Sequence, residues 1–394
     1  MKHFINDTVL NLPPSGIRAF FDIVSQMEGA VSLGVGEPDF TTPWNIREAA
    51  IYSLEQGDTH YTSNWGTMEL REQVSRYMKK RFDLKYSPEN QIVITVGASE
   101  GIDITLRAIV RTGDEVLVPE PSYVSYAPGV MLANGTPVPL YTGAENKFKI
   151  TPEELEKSIT EKTRCIIFPY PNNPTGGIMT KEDLDKLVPV FEKHKDIIII
   201  SDEIYGELTY TSTRHVSLAQ YESLHDRVII LSGFSKSYAM TGWRLGYACG
   251  HPEIISAMVK IHQYTMLCAP IMSQKAATEA LRQGLIDNFD SVEKMKRAYN
   301  RRRRLIVKRF NDMGLECFEP EGAFYVFPSI KSTGLSSMDF CQALLKSKKV
   351  AVVPGTAFGA CGEGFIRCSY ASSVENINTA LDRIEKFLEE IKND

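Results

Sequence analysis

Short apolar runs rich in β-branched residues alternate along this chain with longer stretches of helical periodicity. The runs at 92–96, 116–118, 165–168, 197–201, 228–231 and 245–249 show no polar alternation. Such runs suit strands covered on both faces, as in a parallel sheet. Between them, residues 67–82 set Leu70, Val74, Tyr77 and Met78 on one helical face. A helix opens at Gly97-Ala98-Ser99-Glu100-Gly101 and runs to about residue 111, and 180–191 make another. Thr151, Pro152 and Glu154 form a helix start, with a capping hydroxyl and a proline at the first helical position. This alternation predicts an α/β fold: a mostly parallel sheet sandwiched by helices. The large domain is expected over 45–285. A smaller α+β domain is expected from 286–394 together with 1–44, entered through a long polar helix at 291–311. No linker, low-complexity tract or internal repeat interrupts the chain.

Composition narrows the function classes. At 43% hydrophobic and 24% charged, the 394 residues can bury a large core and are not a disordered composition. The net charge of −5 leaves no basic footprint for nucleic acid. The one basic run, Arg301-Arg302-Arg303-Arg304, is expected on a solvated helix face. No apolar stretch reaches membrane-span length and the N-terminus lacks a signal-peptide core, so a cytoplasmic protein without a membrane partner is expected. Seven cysteines without a C-x-x-C, and no histidine cluster, predict reduced thiols and no metal site.

Candidate chemistry centres on Lys236. It follows the apolar run 228–231 and faces a glycine-punctuated turn, with Arg244 eight residues on. A Schiff-base lysine needs a fixed place at a strand's carboxyl end, desolvation that lowers its pKa, and a nearby cation for a cofactor phosphate. Asp202 and Tyr205 follow another buried run. An aspartate there is costly unless it meets a positive partner, or else caps the next helix. Pro171-Asn172-Asn173-Pro174-Thr175-Gly176 is a turn after a third strand. The backbone N–H groups of Ala98 and Ser99, at a helix start, can cradle a phosphate. This loop is neither a dinucleotide nor a nucleoside triphosphate motif. Tyr123, after Pro119-Glu120-Pro121, can stack on a flat ring or pack in the core. Arg367 lies on a strand-like segment and can take a carboxylate with two parallel hydrogen bonds.

Together these stretches resemble class I and II aminotransferases over essentially the whole chain, and most closely their gamma subgroup. That subgroup includes aspartate, aromatic and N-acetyl-diaminopimelate aminotransferases. The resemblance implies pyridoxal 5′-phosphate bound to Lys236. Asp202 would pair with its ring nitrogen, Asn173 and Tyr205 would hold its ring oxygen, and Tyr123 would stack on the ring. Ala98, Ser99, Ser235 and Arg244 would surround its phosphate. Arg367, Gly36 and Asn173 would contact the substrate, with Ile17 closing over it. Tyr61 would reach the phosphate of a neighbouring subunit, so a homodimer with shared sites is implied. The partners are then an amino acid and a 2-oxo acid.

Two departures matter. Some aspartate-acting members have a lysine where this chain has Ser99. Many have a phosphate-binding serine where this chain has Gly233, so Ser232 or Ser235 would substitute. Ser99 and the aromatics Phe20, Tyr61, Trp65, Tyr123 and Tyr264 favour an aromatic or broad specificity. The alternatives are an aspartate or N-acetyl-diaminopimelate aminotransferase, or a carbon–sulfur β-lyase of the same fold. A non-enzymatic regulator would need a DNA-binding module, which the acidic charge disfavours.

Overall fold

The structure, a computed structural model, describes residues 2–12 and 27–393. The segment 33–40 enters after a two-residue strand, β1 (Val31–Ser32), which pairs in parallel with β10 (Val350–Ala351). The main sheet has seven strands. They are β2 (Ile92–Thr95), β3 (Glu115–Glu120), β4 (Thr136–Tyr141), β5 (Thr163–Phe168), β6 (Ile198–Asp202), β7 (Val228–Gly233) and β8 (Gly246–Cys249). Their order is β2-β8-β7-β6-β5-β3-β4. Every neighbouring pair is parallel except the two made by β8, which runs antiparallel to both β2 and β7.

The strands read as unbroken apolar runs because both faces are covered. Cys165 and Ile167 enter one core with Val116, Val118, Ile200 and Ile229. Their neighbours Ile166 and Phe168 enter the opposite core with Leu117, Ile199 and Ile230. One helix layer includes Gly97–Ile109 and Pro252–Thr265, and the other includes Met68–Phe82 and Lys181–Lys193. The expected cap at Thr151 is present, accepting from the Glu154 N–H; Thr67 likewise accepts from the Leu70 N–H, and Thr180 with Asp183 closes a capping box.

The edge strand β4 was not expected. Its prolines, Pro137 and Pro139, alternate with Val138 and Leu140 and hide the strand pattern. At an edge their missing N–H groups can face outward, while the alternate residues bond to β3. A separate core gathers Leu33 with the helices Asp290–Asp312, Ser337–Lys348 and Val374–Asn393. It is closed by a three-stranded antiparallel sheet of β11 (Val353–Pro354), β12 (Ile366–Ser369) and β9 (Tyr325–Val326).

The basic run is only half solvated, which corrects the expectation. Arg301 and Arg304 are exposed, but Arg303 is buried. Its guanidinium donates to the Pro320 carbonyl and lies beside Glu319. Arg302 pairs with Asp39 at 2.8 Å and so ties the 33–40 segment to the long helix. All seven cysteines are free. No described helix is long and apolar enough to cross a membrane.

Candidate active site

The carboxyl ends of five strands open on one cavity of about 500 Å³, within the usual range for small-ligand sites. β2 leads to Ala98 and Ser99, β3 to Tyr123, β5 to Asn173, β6 to Asp202 and Tyr205, and β7 to Ser235 and Lys236. Arg244 joins from the turn before β8. Gly36 and Glu37 come from the N-terminal segment, and Arg367 from β12. Open parallel sheets bind ligands at this edge because loops from different strands can converge there.

Lys236 Nζ donates to the Gly36 carbonyl at 2.6 Å. Burial lowers its pKa to about 8; Glu37 opposes that fall, while Arg367 and Arg244 add to it. An amine so poised loses its proton near pH 8, well below an ordinary lysine, which suits a nucleophile or proton carrier. Asp202 is buried. Its Oδ2 accepts from the Tyr126 hydroxyl at 2.8 Å and its Oδ1 from the Ile204 N–H. Burial raises its carboxyl pKa and these two donors pull it back.

Arg367 is buried under two rings, with its guanidinium carbon 4.6 Å from Tyr325 and 4.9 Å from Phe358. It donates to Asn173 Oδ1 at 2.9 Å and to the Gly34 carbonyl, while its Nε has no partner among the described residues. The Tyr205 and Tyr325 hydroxyls are 2.7 Å apart. Gly97 has φ +79°, a conformation open to glycine, and a Cβ there would stand 2.7 Å from Arg244 Nη2. The helix start and the Arg244 guanidinium therefore meet directly.

Of the residues singled out in the sequence, eleven line this cavity: Gly36, Ala98, Ser99, Tyr123, Asn173, Asp202, Tyr205, Ser235, Lys236, Arg244 and Arg367. Tyr61 does not; it is 83% exposed. Ile17 and Phe20 lie outside the described residues. Ser232 is turned away, donating to the Glu203 carbonyl, so of the two serines Ser235 faces the cavity. Gly233 has no room for a side chain, because a Cβ would meet Gly246 Cα and the Leu245 carbonyl at 2.9 Å. Tyr126, Glu37, Thr241 and Tyr325 were missed. Tyr126 had one signal, its spacing of three from Tyr123.

The donor set suits a flat, phosphorylated aldehyde with a protonated ring nitrogen. The site offers an amine of low basicity, a buried carboxyl held by two donors, and a cation packed on a helix N-terminus. Pyridoxal 5′-phosphate has those features.

Residues 28–384 match the model of a family described as aminotransferase class I and II. An aromatic-amino-acid aminotransferase 2 of Thermococcus litoralis is 45% identical over 98% of this chain and 99% of its own. An aspartate aminotransferase of Pyrococcus abyssi is 45% identical over 96% and 97%. The crystal structure of an aromatic aminotransferase from Pyrococcus horikoshii superposes with a TM-score of 0.90 at 43% identity, covering 95% of this chain and 99% of that one.

Proposed function

This chain belongs to the class I and II aminotransferases and transfers amino groups with the family's cofactor, pyridoxal 5′-phosphate; within that family we propose that it favours aromatic L-amino acids in a broad range of donors, with a 2-oxo acid such as 2-oxoglutarate as acceptor. The observation that carries the preference is a count of cations. Among the described lining residues there are three, Lys236, Arg244 and Arg367. Each already has work in the reaction, so none is left for the distal carboxylate of an aspartate. Ser99 stands where a lysine would supply one. Val35, Ile102, Tyr123 and Tyr325 give the cavity an apolar wall.

The bound cofactor supplies an electron sink for the pair left when the substrate Cα loses its proton. The chain's residues do the rest. Arg367 takes the substrate α-carboxylate on its planar fork, beside the Gly36 backbone. Lys236 Nζ would anchor the cofactor and, as a free amine, would take the proton from the substrate Cα and hold it for return. Asp202 would pair with the ring nitrogen, and the Tyr126 hydroxyl fixes its carboxyl for that. Asn173 has its amide oxygen engaged by Arg367, leaving its NH₂ and the Tyr205 hydroxyl for the ring oxygen. Tyr123 would stack on the ring, and the helix N–H groups at Ala98 and Ser99, the Ser235 hydroxyl and Arg244 would hold the phosphate.

The exposed Tyr61, with exposed Trp44 and Tyr264, supports a homodimer in which Tyr61 completes the neighbour's phosphate site. An aspartate or N-acetyl-diaminopimelate enzyme and a β-lyase are the competing readings. Measuring kcat/KM with 2-oxoglutarate tests the preference. Tyrosine or phenylalanine should exceed aspartate by at least tenfold, and Ser99→Lys should narrow that gap. Faster transfer from aspartate in the unaltered enzyme would overturn the aromatic reading.

A further inference from the structure

The helix that meets the cofactor phosphate carries a carboxylate in its first turn, Glu100. A carboxylate there complements the helix dipole, yet it would repel a phosphate bound at the same N-terminus. Glu100 does not line the cavity. It turns back instead. Its Oε2 accepts from the Val96 N–H at 2.5 Å, and its Oε1 lies 2.6 Å from His262 Nδ1. His262 belongs to the neighbouring helix Pro252–Thr265 and is fully buried, with Nε2 lacking a partner among the described residues. The carboxylate can only accept, so the imidazole carries its proton on Nδ1.

A buried imidazole with one unsatisfied nitrogen is a poor choice for packing alone. What the pair does fix is the turn between β2 and the helix. Val96 is the N-cap residue and Gly97 follows it at φ +79°. Thr95 Oγ1 adds a hydrogen bond to the Gly97 carbonyl at 3.0 Å. The same turn sets three things at once. It aims the first N–H groups of the helix at the cavity. It leaves the space at Gly97 into which the Arg244 guanidinium packs. It also brings Ala98 against β8, where a Cβ on Gly246 would stand 2.7 Å from the Ala98 nitrogen.

We infer that Glu100 and His262 are a positioning pair for cofactor-phosphate recognition: they lock the β2–helix turn so that the helix N–H groups and Arg244 converge on the phosphate. Neither residue touches the cofactor. Their effect is on the affinity for the phosphate group, not on the chemistry at the substrate Cα. This inference rests on the pyridoxal phosphate reading of the site.

The test compares two ligands that differ only in that group. Cofactor-free enzyme is titrated with pyridoxal phosphate and with pyridoxal, following the absorbance of the lysine-bound form. Glu100→Gln keeps the shape but replaces one acceptor by a donor, so one of its two contacts is lost. It should weaken pyridoxal phosphate binding about tenfold or more and leave pyridoxal within twofold of the unaltered protein. His262→Leu should do the same, and His262→Asn, which keeps a donor near Nδ1, should restore most of the affinity. At saturating cofactor kcat should stay within threefold. Unchanged affinity in Glu100→Gln, or an equal loss for both ligands, would overturn the inference. Should that variant not fold, His262→Leu carries the same comparison. If the unaltered protein binds neither ligand, the proposed function itself fails.

Discussion

Lys236 is charged where the fold would have it neutral, so removing its charge should make the cofactor-free protein more stable. Burial lowers its pKa from 10.5 to about 8. That difference corresponds to roughly 3 kcal/mol against the charged form. The folded value lies below the unfolded one, so the cost is full below pH 8. It shrinks as pH rises from 8 and is gone above 10.5. Lys236→Met keeps the length and loses the charge. It also loses the hydrogen bond to the Gly36 carbonyl, a net contribution of about 1 kcal/mol. The variant should therefore gain about 2 kcal/mol at pH 6.5. For a chain of this size that is a melting temperature higher by about 2 °C. At pH 9.5 most of the gain should have disappeared. Paired thermal melts of both cofactor-free proteins at the two pH values measure it. A variant that melts below the parent at pH 6.5, or a difference independent of pH, would refute the reasoning. The result would also show stability given up for reactivity, the usual trade at a catalytic centre.

Other perturbations separate the parts of the site. Arg367→Lys exchanges a planar fork for a single point donor, and should weaken binding of 3-phenylpropionate to the loaded enzyme by about 10- to 100-fold, measured by competition, with cofactor affinity unchanged. Arg81 and Glu207 form a buried ion pair; Arg81→Met should cost about 3–5 kcal/mol in denaturant unfolding because it strands the Glu207 carboxylate, and Glu207→Leu in the same chain should recover much of it. Hybrid dimers of a Tyr61→Ala chain with a Lys236→Ala chain concentrate both defects in one site if Tyr61 serves its neighbour. Mixing the two inactive or weakened proteins should then raise activity well above either alone, and no rise would remove Tyr61 from the partner's site.

Much of this molecule is legible in its sequence because a parallel sheet is an extreme environment. β5, β6 and β7 are covered on both faces, so nearly every side chain in them must be apolar. The polar residues that follow, Asp202 and Lys236, then stand out as anomalies. Gly97 was legible as the opening of a helix, though not as the positive-φ turn that it makes there. Where the environment is mixed, the signal fades. β4 is an edge strand punctuated by proline, and β9 and β11 are two residues long, too short to show a period, whereas the four-residue β12 was legible as the strand-like segment around Arg367. Tyr126 looks like core and is buried like core, yet its hydroxyl meets Asp202; nothing local distinguishes that from packing. Arg303 read as solvated because a charge run usually is, but the long helix turns that one position inward, where Asn300, Glu319 and the Pro320 carbonyl satisfy it. Gly233 read as a lost serine. The approach of Gly246 and Leu245 supplies the physical reason, and Ser235 faces the cavity instead.

The most direct test of the central claim is a half-reaction. Enzyme loaded with pyridoxal 5′-phosphate is mixed with a single amino acid and no oxo acid, and its spectrum is followed. Tyrosine, phenylalanine, aspartate, alanine, cystathionine and N-acetyl-diaminopimelate are tried in turn. The lysine-bound absorbance should give way to that of pyridoxamine phosphate, with one oxo acid released per site and an aromatic donor among the fastest. An unchanged spectrum with accumulating pyruvate would make the protein a lyase. No lysine-bound absorbance at all would contradict the role assigned to Lys236.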